Sequence, residues 1–437
     1  MKRMIQTISI FIVSWLLLQC KISDLNNPKD PKSAAFLQQS FLQLYVQGLK
    51  ETFLPHSVAI LRSSTSLNNG LRIYPVDSEI GIDPNTYIEL MAPSSNSGFP
   101  GNSPQKIMVP EKTRKILYST GSYSRKIVSL NYEDKVKIEI KDTQTSTVPI
   151  DTSLRRIEKS SDATVFYTMG SGASGDLIQR WGFDPNSGTI TSRNSGSYPF
   201  GLACAPLSIR YDSKNDIIGV LTSQTGSRGM YFYKPTDPDS LTKINSSTID
   251  FGVLTTANDN LSIHPEKNYF YATISSFPAT IKAFLYSDSG VITEISGSPF
   301  SPDPNISAIP PGVNAGTNML IDPNGKYLAI VYTAGVNRYL NLLSIDKETG
   351  ALSQSGTKLS VGNAPSNLHW DKSGQFIYLS SDTGGSTNNV QLEYFKVSSD
   401  GIVVRGVNSP IVVNALGSNN ISDIKSINPN YYLRYDP

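Results

Sequence analysis

The sequence predicts an all-β fold, a seven-bladed β-propeller of four-stranded antiparallel blades. A phrase made of an apolar run, a tight turn and a second apolar run recurs along the chain; at residues 318–335 it reads NMLIDPNGKYLAIVYTAG. The turns of the successive copies contain Pro55, Pro110, Lys159, Ser213, Pro265, Pro323, Lys372 and Pro429. Their mean spacing of about 53 residues suits a repeat of four strands and is too long for a helical repeat unit.

The second half of each repeat supports the same fold. Residues 177–193, 281–297, 338–356 and 390–406 each read as an alternating strand, a turn and a short strand. The turns DPNSG, DKETG and SSDG place Gly where a positive φ is needed, with Asp or Asn beside it. Because a single sheet of this kind cannot bury both faces, we expect the copies to stack radially.

The eighth turn belongs to an incomplete repeat. Residues 423–437 contain only the beginning of the repeated phrase, whereas the first repeat, from Pro55, lacks a clear leading strand. We therefore expect the C-terminal strand to complete the first blade, which would close the ring and remove its free edges.

The composition favours strands and turns and excludes one class of partner. The chain has 437 residues, of which 22 are Tyr, 32 Gly and 27 Pro. Its 38 basic and 36 acidic residues give a formal net charge of +2. With no strong field of either sign, we expect no nucleic-acid partner.

The N-terminal segment has the pattern of an export signal. Lys2 and Arg3 precede an apolar run at residues 8–18, about half of the ~20 residues that a spanning helix needs. The run ends in Leu-Leu-Gln-Cys20, which resembles a bacterial lipobox. We expect a signal peptide at 1–19, lipidation of Cys20 and a polar tether over 20–32; a cleaved signal with an incidental Cys is the alternative. These expectations place the protein in the cell envelope, lipid-anchored to the outer membrane on its periplasmic face or at the cell surface.

Residues 33–52 predict an amphipathic helix. Ser33 can cap it, and Leu37, Phe41, Leu44 and Leu49 recur at helical spacing. The apolar face would pack on the propeller, assigned to residues 53–437, or dock a partner.

Three motifs carry a resemblance to a known family: Asp322–Leu328 (DPNGKYL), Asp346–Leu352 (DKETGAL) and Gly297–Phe300 (GSPF). They resemble the lactonase-type seven-bladed propellers, which include bacterial 6-phosphogluconolactonases, carboxy-muconate cyclising enzymes and YVTN-type surface proteins. The resemblance implies His and Arg residues and a carboxylate at the mouth of the central channel. Many members carry P-R-H before an inner strand, whereas this chain has PSNLH at 365–369, so that the Arg is replaced and the His displaced.

The leading strand of each repeat alternates between apolar and polar residues. The apolar set, such as Ile209, Leu261, Met319 and Leu368, is expected to pack between blades. The opposite set is expected to face a wet axial channel, since buried polar groups are costly unless hydrogen-bonded. The candidate ligand-binding residues of this polar set are Arg156, Arg210, His369, Asn260, Asn318 and Asn367. Ser208, Ser262, Gln105 and Ser426 belong to the same set.

Two interpretations of this channel remain open. In the first, the polar residues only contact water in the axial channel. In the second, Arg156, Arg210 and His369 converge on a small anionic molecule, since Arg suits carboxylate or phosphate recognition.

Metal and cofactor motifs are lacking in the sequence. The three histidines, His56, His264 and His369, are far apart, and no HExxH motif accompanies them. The G-x-G-x-x-G match at 170–175 is followed by a strand pattern and not by a helix. We therefore expect neither a metal site nor a cofactor, and the catalytic residues, if there are any, are unknown.

Two functions follow as hypotheses. The favoured one is a membrane-anchored extracytoplasmic β-propeller lipoprotein acting as a binding module, whose loops, such as 300–312 and 383–389, contact a protein, glycan or matrix ligand. The alternative is an exported lactonase-type hydrolase acting on a small anionic lactone at the central channel. The sequence leaves open whether the chain is an enzyme.

Overall fold

The computed structural model describes the strands of the repeats and many of their turns. It describes residues 56–63, 70–77, 81–91, 104–110, 115–120, 126–133, 137–145, 156–160, 163–172, 175–193, 198–199, 205–223, 229–237, 240–244, 261–274, 280–306, 318–356, 358–383, 390–413 and 420–427. These residues belong to one compact unit, Pro55–Pro437. The predicted signal peptide, Cys20, the tether and the helix at 33–52 lie outside the described residues and stay predictions.

The described strands form seven antiparallel sheets, which we number 1 to 7. Sheet 1 contains β1 (His56–Ser63), β2 (Gly70–Asp77), β3 (Gly81–Ile82) and β4 (Ile88–Met91). Sheet 2 contains β5 (Pro104–Met108), β6 (Lys115–Thr120), β7 (Lys126–Glu133) and β8 (Lys137–Thr145). Sheet 3 contains β9 (Arg156–Lys159), β10 (Val165–Gly172), β11 (Gly175–Phe183), β12 (Ile190–Ser192) and β13 (Tyr198–Pro199).

The other four sheets repeat this pattern. Sheet 4 contains β14 (Ala205–Asp212), β15 (Ile217–Ser223), β16 (Gly229–Asp237) and β17 (Ser240–Lys243). Sheet 5 contains β18 (Leu261–Ile263), β19 (Tyr269–Ile274), β20 (Thr280–Tyr286) and β21 (Ile292–Glu294). Sheet 6 contains β22 (Met319–Ile321), β23 (Tyr327–Ala334), β24 (Asn337–Ile345), β25 (Leu352–Gln354) and β26 (Leu359–Ser360). Sheet 7 contains β27 (Asn363–Trp370), β28 (Phe376–Asp382), β29 (Val390–Val397), β30 (Val403–Arg405) and β31 (Ile411–Val412).

The last described strand returns to the first sheet. β32 (Asn420–Ile427) pairs antiparallel with β1, from Ser57 opposite Ile427 to Ser63 opposite Asn420. Sheet 1 therefore has the order β32-β1-β2-β3. This agrees with the expectation that a C-terminal strand completes the first repeat.

The sheets are arranged in a ring around their first strands. We call β32, β5, β9, β14, β18, β22 and β27 the inner strands of sheets 1 to 7. Each inner strand contacts the next in this order, and β27 contacts β32, so that the series closes on itself. The predicted β-propeller of four-stranded antiparallel blades is confirmed.

Apolar side chains fill the space between neighbouring sheets. Tyr269 and Tyr271 of sheet 5, for example, pack against Leu328, Ile330 and Tyr332 of sheet 6. Burying a large apolar side chain contributes about 1.5–3 kcal/mol, and the same kind of contact recurs around the ring. The apolar half of each alternating strand therefore holds the sheets together.

The repeated DPNG phrase forms the turn that follows an inner strand. The Asp322 carboxylate accepts hydrogen bonds from the amides of Asn324, Lys326 and Tyr327 at 3.0, 2.6 and 2.7 Å. Gly325 has φ +70°, and a Cβ there would lie 2.3 Å from the His264 ring. Asp and Gly recur in the phrase because the turn needs an acceptor for its amides and a residue without a side chain.

Candidate functional site

The polar side chains of the inner strands lie at two levels. Ser208, Asn318 and Asn367 each lie four residues before the Asp that opens the following turn, and Lys106 and Asp423 take the same place in β5 and β32, as their partners Ser119 and Leu61 show. We call these five residues the polar belt. A second set lies two residues closer to the turns. Its half-buried members are Glu158, Arg210, Leu320, His369 and Lys425, which we call the channel ring, whereas Met108 and Ser262 at the same level are buried.

The two levels differ in burial. All five residues of the polar belt are buried, whereas five of the seven described residues at the second level are half-buried. Both sets have the same parity along their strands, so the alternation of the sequence does not separate them. The level nearer the turns is the one that solvent and small molecules can reach.

The polar belt is held together by contacts among sheets 7, 1 and 2. Lys106 Nζ lies 3.7 Å from Asp423 Oδ1 and 3.5 Å from Asn367 Oδ1. The Ile107 amide donates to Asp423 Oδ2 at 2.9 Å, and Asn367 Nδ2 donates to the Ile421 carbonyl at 2.7 Å. A buried cation with a carboxylate and an amide as neighbours fits a structural role.

Arg210 joins three sheets in the channel ring. Its Nη1 donates to Glu158 Oε1 of sheet 3 at 2.8 Å, and its Nε donates to the Leu261 carbonyl of sheet 5 at 3.1 Å. The side chains of Arg210 and Glu158 are 14% and 27% exposed. These contacts fix the guanidinium on the channel wall next to a carboxylate that water can still reach.

His369 is oriented by sheet 1. The Ser426 amide donates to His369 Nε2 at 2.8 Å, and the Ser426 hydroxyl lies 3.1 Å from the same nitrogen. Because Nε2 accepts a hydrogen bond from an amide, the neutral ring carries its proton on Nδ1. His369 is therefore set up as a hydrogen-bond donor through Nδ1 and not as a base through Nε2.

A pocket of about 200 Å³ opens at the turn ends of the inner strands of sheets 4 to 7. It is lined by Arg210, Tyr211, Ser262, Ile263, Pro265, Leu320, Ile321, Asp322, Pro323 and Trp370. We call it the axial pocket. Arg210 and Leu320 belong both to this pocket and to the channel ring, so the pocket is continuous with the accessible level.

The structure places the six residues of the predicted ligand site differently. Asn318 and Asn367 are 0% and 2% exposed and belong to the polar belt, away from the solvent that was expected at this position. Arg210 and His369 lie in the channel ring, where their recorded partners are on sheets 3 and 5 and on sheet 1. Arg156 belongs to β9, opposite Met169, and Asn260 lies outside the described residues. Their binding of an anion stays a prediction.

Four residues of the two levels were not predicted from the sequence: Lys106, Glu158, Asp423 and Lys425. The pairing is regular from Lys106 to Met108 in β5 and from Asp423 to Ile427 in β32, and this register assigns Lys106 and Asp423 to the polar belt. Gln105 and Ser426, which the regular alternation assigned to the polar set, are one residue or more away from it. Glu158 could have been found, because it follows Arg156 at the same parity.

Two features are absent from the described residues. Among them, no group of three or more His, Cys, Asp or Glu side chains is arranged to hold a metal ion. No helix in this part of the chain is long and apolar enough to cross a membrane.

Solved structures with the same fold include proteins with lactonase names. A proposed 6-phosphogluconolactonase from Bacteroides fragilis is 13% identical, with a TM-score of 0.59, and the match covers 86% of this chain and 99% of that one. The periplasmic gluconolactonase of Pseudomonas aeruginosa is also 13% identical, with a TM-score of 0.59 over 82% and 98% of the two chains. No family model matches the chain, and no curated protein matches its sequence.

The chain shares the β-propeller fold of these two proteins. A hypothetical selenium-binding protein from Sulfolobus tokodaii is equally similar, with 11% identity and a TM-score of 0.60 over 87% and 96% of the two chains. Because proteins with different names share this architecture, the likeness shows the fold and leaves the activity to the site.

Proposed function

We propose that this chain is a lactonase-type hydrolase that opens a small anionic lactone at the central channel, where Arg210 of the axial pocket is paired with Glu158. The observation that carries the proposal is the Arg210–Glu158 pair, a fixed cation and a carboxylate 2.8 Å apart on the accessible wall of the channel. The lactonase names of two proteins with this fold agree with it. We also propose that each of the seven sheets is one blade of a seven-bladed ring.

The pair supplies the groups that ester hydrolysis needs. Glu158 takes a proton from water as the water oxygen bonds to the lactone carbonyl carbon. Arg210 donates hydrogen bonds to the oxygen on which negative charge develops. The ring C–O bond then breaks, and the leaving alkoxide receives the proton from Glu158, which yields a hydroxy acid.

The decisive experiment compares Glu158→Gln with the natural protein in the hydrolysis of a lactone panel. Glutamine keeps the size of the side chain but cannot accept the proton, so kcat should fall by about 10²-fold or more. Glu348→Gln is the matched control, because Glu348 is an exposed carboxylate on a turn with a side-chain exposure of 71%. Full turnover by Glu158→Gln, or no turnover of any lactone by the natural protein, would refute the hydrolase.

Export, lipidation of Cys20 and attachment to the outer membrane remain part of the proposal, supported by the sequence alone. Cys20→Ser should abolish labelling by a fatty acid and release the protein from the membrane fraction. Retention of the label would remove Cys20 as the attachment site. If no lactone is hydrolysed, partner binding by the loops is the remaining hypothesis, and it predicts saturable binding of a protein or glycan from the same envelope.

A further inference from the structure

The size of the axial pocket limits its ligand. Its volume is about 200 Å³, somewhat larger than the ~150 Å³ cavity that accommodates benzene in an engineered protein. The pocket therefore has room for one ring with a small substituent.

Most of the pocket wall is apolar. Ile263, Leu320 and Ile321 contribute aliphatic side chains, Pro265 and Pro323 contribute two rings, and Trp370 contributes an indole. A wall of this kind favours an apolar surface on the ligand, because burying that surface removes it from water.

The polar groups of the wall already have partners within the protein. Ser262 Oγ accepts from the Ile321 amide at 2.9 Å, and Trp370 Nε1 donates to the Leu320 carbonyl at 3.1 Å. The Asp322 carboxylate holds the amides of its own turn. A polyhydroxylated ligand would lose hydrogen bonds to water on entering the pocket, and few groups of the wall could replace them. Its affinity would therefore be lower.

Among the described residues lining the pocket, Arg210 is the cation. Its fork geometry suits a carboxylate or a developing oxyanion. The pocket thus combines an apolar body with one guanidinium, whose Nη1 is paired with Glu158 and whose Nε is bonded to the Leu261 carbonyl.

We propose that the axial pocket selects a lactone with an apolar aromatic or alicyclic ring, together with its hydroxy-acid product, over a sugar lactone. This assignment of the substrate class rests on the proposed hydrolase function for the reaction, whereas the preference for an amphipathic monoanion rests on the pocket wall. The apolar ring lies against Leu320 and Trp370, and the carboxylate lies at Arg210.

Equilibrium binding tests the preference without turnover. The full chain is titrated calorimetrically with phenylacetate and with gluconate, which carry the same charge but differ in their apolar and hydroxylated bodies. We expect phenylacetate to bind at least tenfold more tightly. Equal affinities, or tighter binding of gluconate, would overturn the proposal.

Variants locate the binding. Leu320→Ser should weaken phenylacetate at least tenfold by making the wall polar, and Leu320→Phe should weaken it by filling the pocket while the residue stays apolar. Val336→Ser, at an 86% exposed position of the β23–β24 turn, is the matched control and should leave binding unchanged. Unchanged binding in both folded Leu320 variants would place the ligand elsewhere and refute the assignment.

Hydrolysis separates this proposal from the proposed function. Dihydrocoumarin and glucono-δ-lactone are compared as substrates. Glu158-dependent hydrolysis of glucono-δ-lactone in preference to dihydrocoumarin would refute the apolar substrate class and support the hydrolase. Tight, Leu320-dependent binding of phenylacetate with no hydrolysis of any lactone of the panel would refute the hydrolase and support the apolar pocket.

Discussion

The polar belt and the channel ring differ only by two residues along the inner strands, yet they have different environments. Lys106 and Asp423 of the belt are 5% and 6% exposed and contact each other and their neighbours. Arg210, Glu158 and His369 of the ring are half-buried and face the accessible part of the channel. A polar residue on an inner strand is therefore not by itself a sign of a ligand site, because Ser262 at the level of the channel ring is also buried; the exposure of each residue decides.

The largest expected effect is on the stability of the polar belt. Asp423→Leu leaves the Lys106 ammonium buried without its carboxylate, and removing one partner of a buried pair typically costs about 3–5 kcal/mol. The free energy of unfolding is measured by urea denaturation. The double variant Lys106→Met, Asp423→Leu should recover most of the loss, and a single variant as stable as the natural protein would show that the belt has no structural role.

In the channel ring the expected effect is on binding. Arg210→Met removes a charged hydrogen-bond donor from the pocket, so anion affinity should fall by about 1.5–3 kcal/mol, or roughly 10- to 100-fold. Titration of phenylacetate measures it, and thermal unfolding checks the fold. Arg210→Lys should not restore the affinity in full, because an ammonium lacks the guanidinium fork. If Arg210→Met binds normally, the channel ring is as structural as the belt.

A pH effect is expected at the turn end of sheet 5. His264 occupies the place that Asp322 and Asp371 take in sheets 6 and 7, and its Nδ1 accepts the amides of Glu266 and Lys267 at 3.1 and 3.0 Å. Burial lowers the pKa of His264 below its usual value, and the hydrogen bond to the Gly325 carbonyl offsets this only in part. Because the unfolded chain then binds more protons, the His264 contribution to stability is present above about pH 6.5 and is lost as the pH falls through the lower pKa of the folded protein.

His264→Asp tests this expectation. Asp is the residue that caps the corresponding turns, so the variant should fold, and its stability should change less between pH 7 and 5 than that of the natural protein. Urea denaturation across this range measures the slope. An unchanged slope would assign the pH dependence to other groups.

The smallest effect is expected at Lys425, the half-buried ammonium of the channel ring on sheet 1. Lys425→Gln should weaken anion binding by about 1 kcal/mol or less, because water screens the attraction between a partly solvated ammonium and the anion. The difference should shrink when binding is measured at 1 M salt, where the Debye length is about 3 Å. A loss as large as that of Arg210→Met would mean that Lys425 contacts the ligand directly.

The fold could be predicted because its signals are local and repeated. Asp322 and Asp371 accept the amides of their turns, Gly325 needs a positive φ, and the apolar residues of each strand recur every second position. Several copies of the phrase predict the same strand and turn, so an error in one copy has little effect on the prediction. The pairing of β32 with β1 could also be predicted, since an incomplete repeat at the C-terminal end implies that its strand completes the first repeat.

The candidate site was harder to predict from the sequence, because it depends on strand register and on burial. Lys106 and Asp423 were missed because the alternation predicted Gln105 and Ser426 instead, and only the pairing of β5 and β32 fixes the register. Asn318 and Asn367 were expected in a wet channel because their parity matches that of Arg210, yet they are buried. Parity tells on which side of a strand a residue lies, whereas exposure depends on what the other inner strands place beside it.

By itself, the amino-acid sequence determined the strands, their turns, the four-stranded repeat and its closure, since these depend on residues close together in the chain or on repetition. Only the tertiary structure decided which polar residues of the inner strands are buried and which are half-buried. It also decided that Glu158 of sheet 3 and Arg210 of sheet 4 form an ion pair. Such contacts join residues about fifty positions apart, and their geometry exists only once the inner strands surround a common axis.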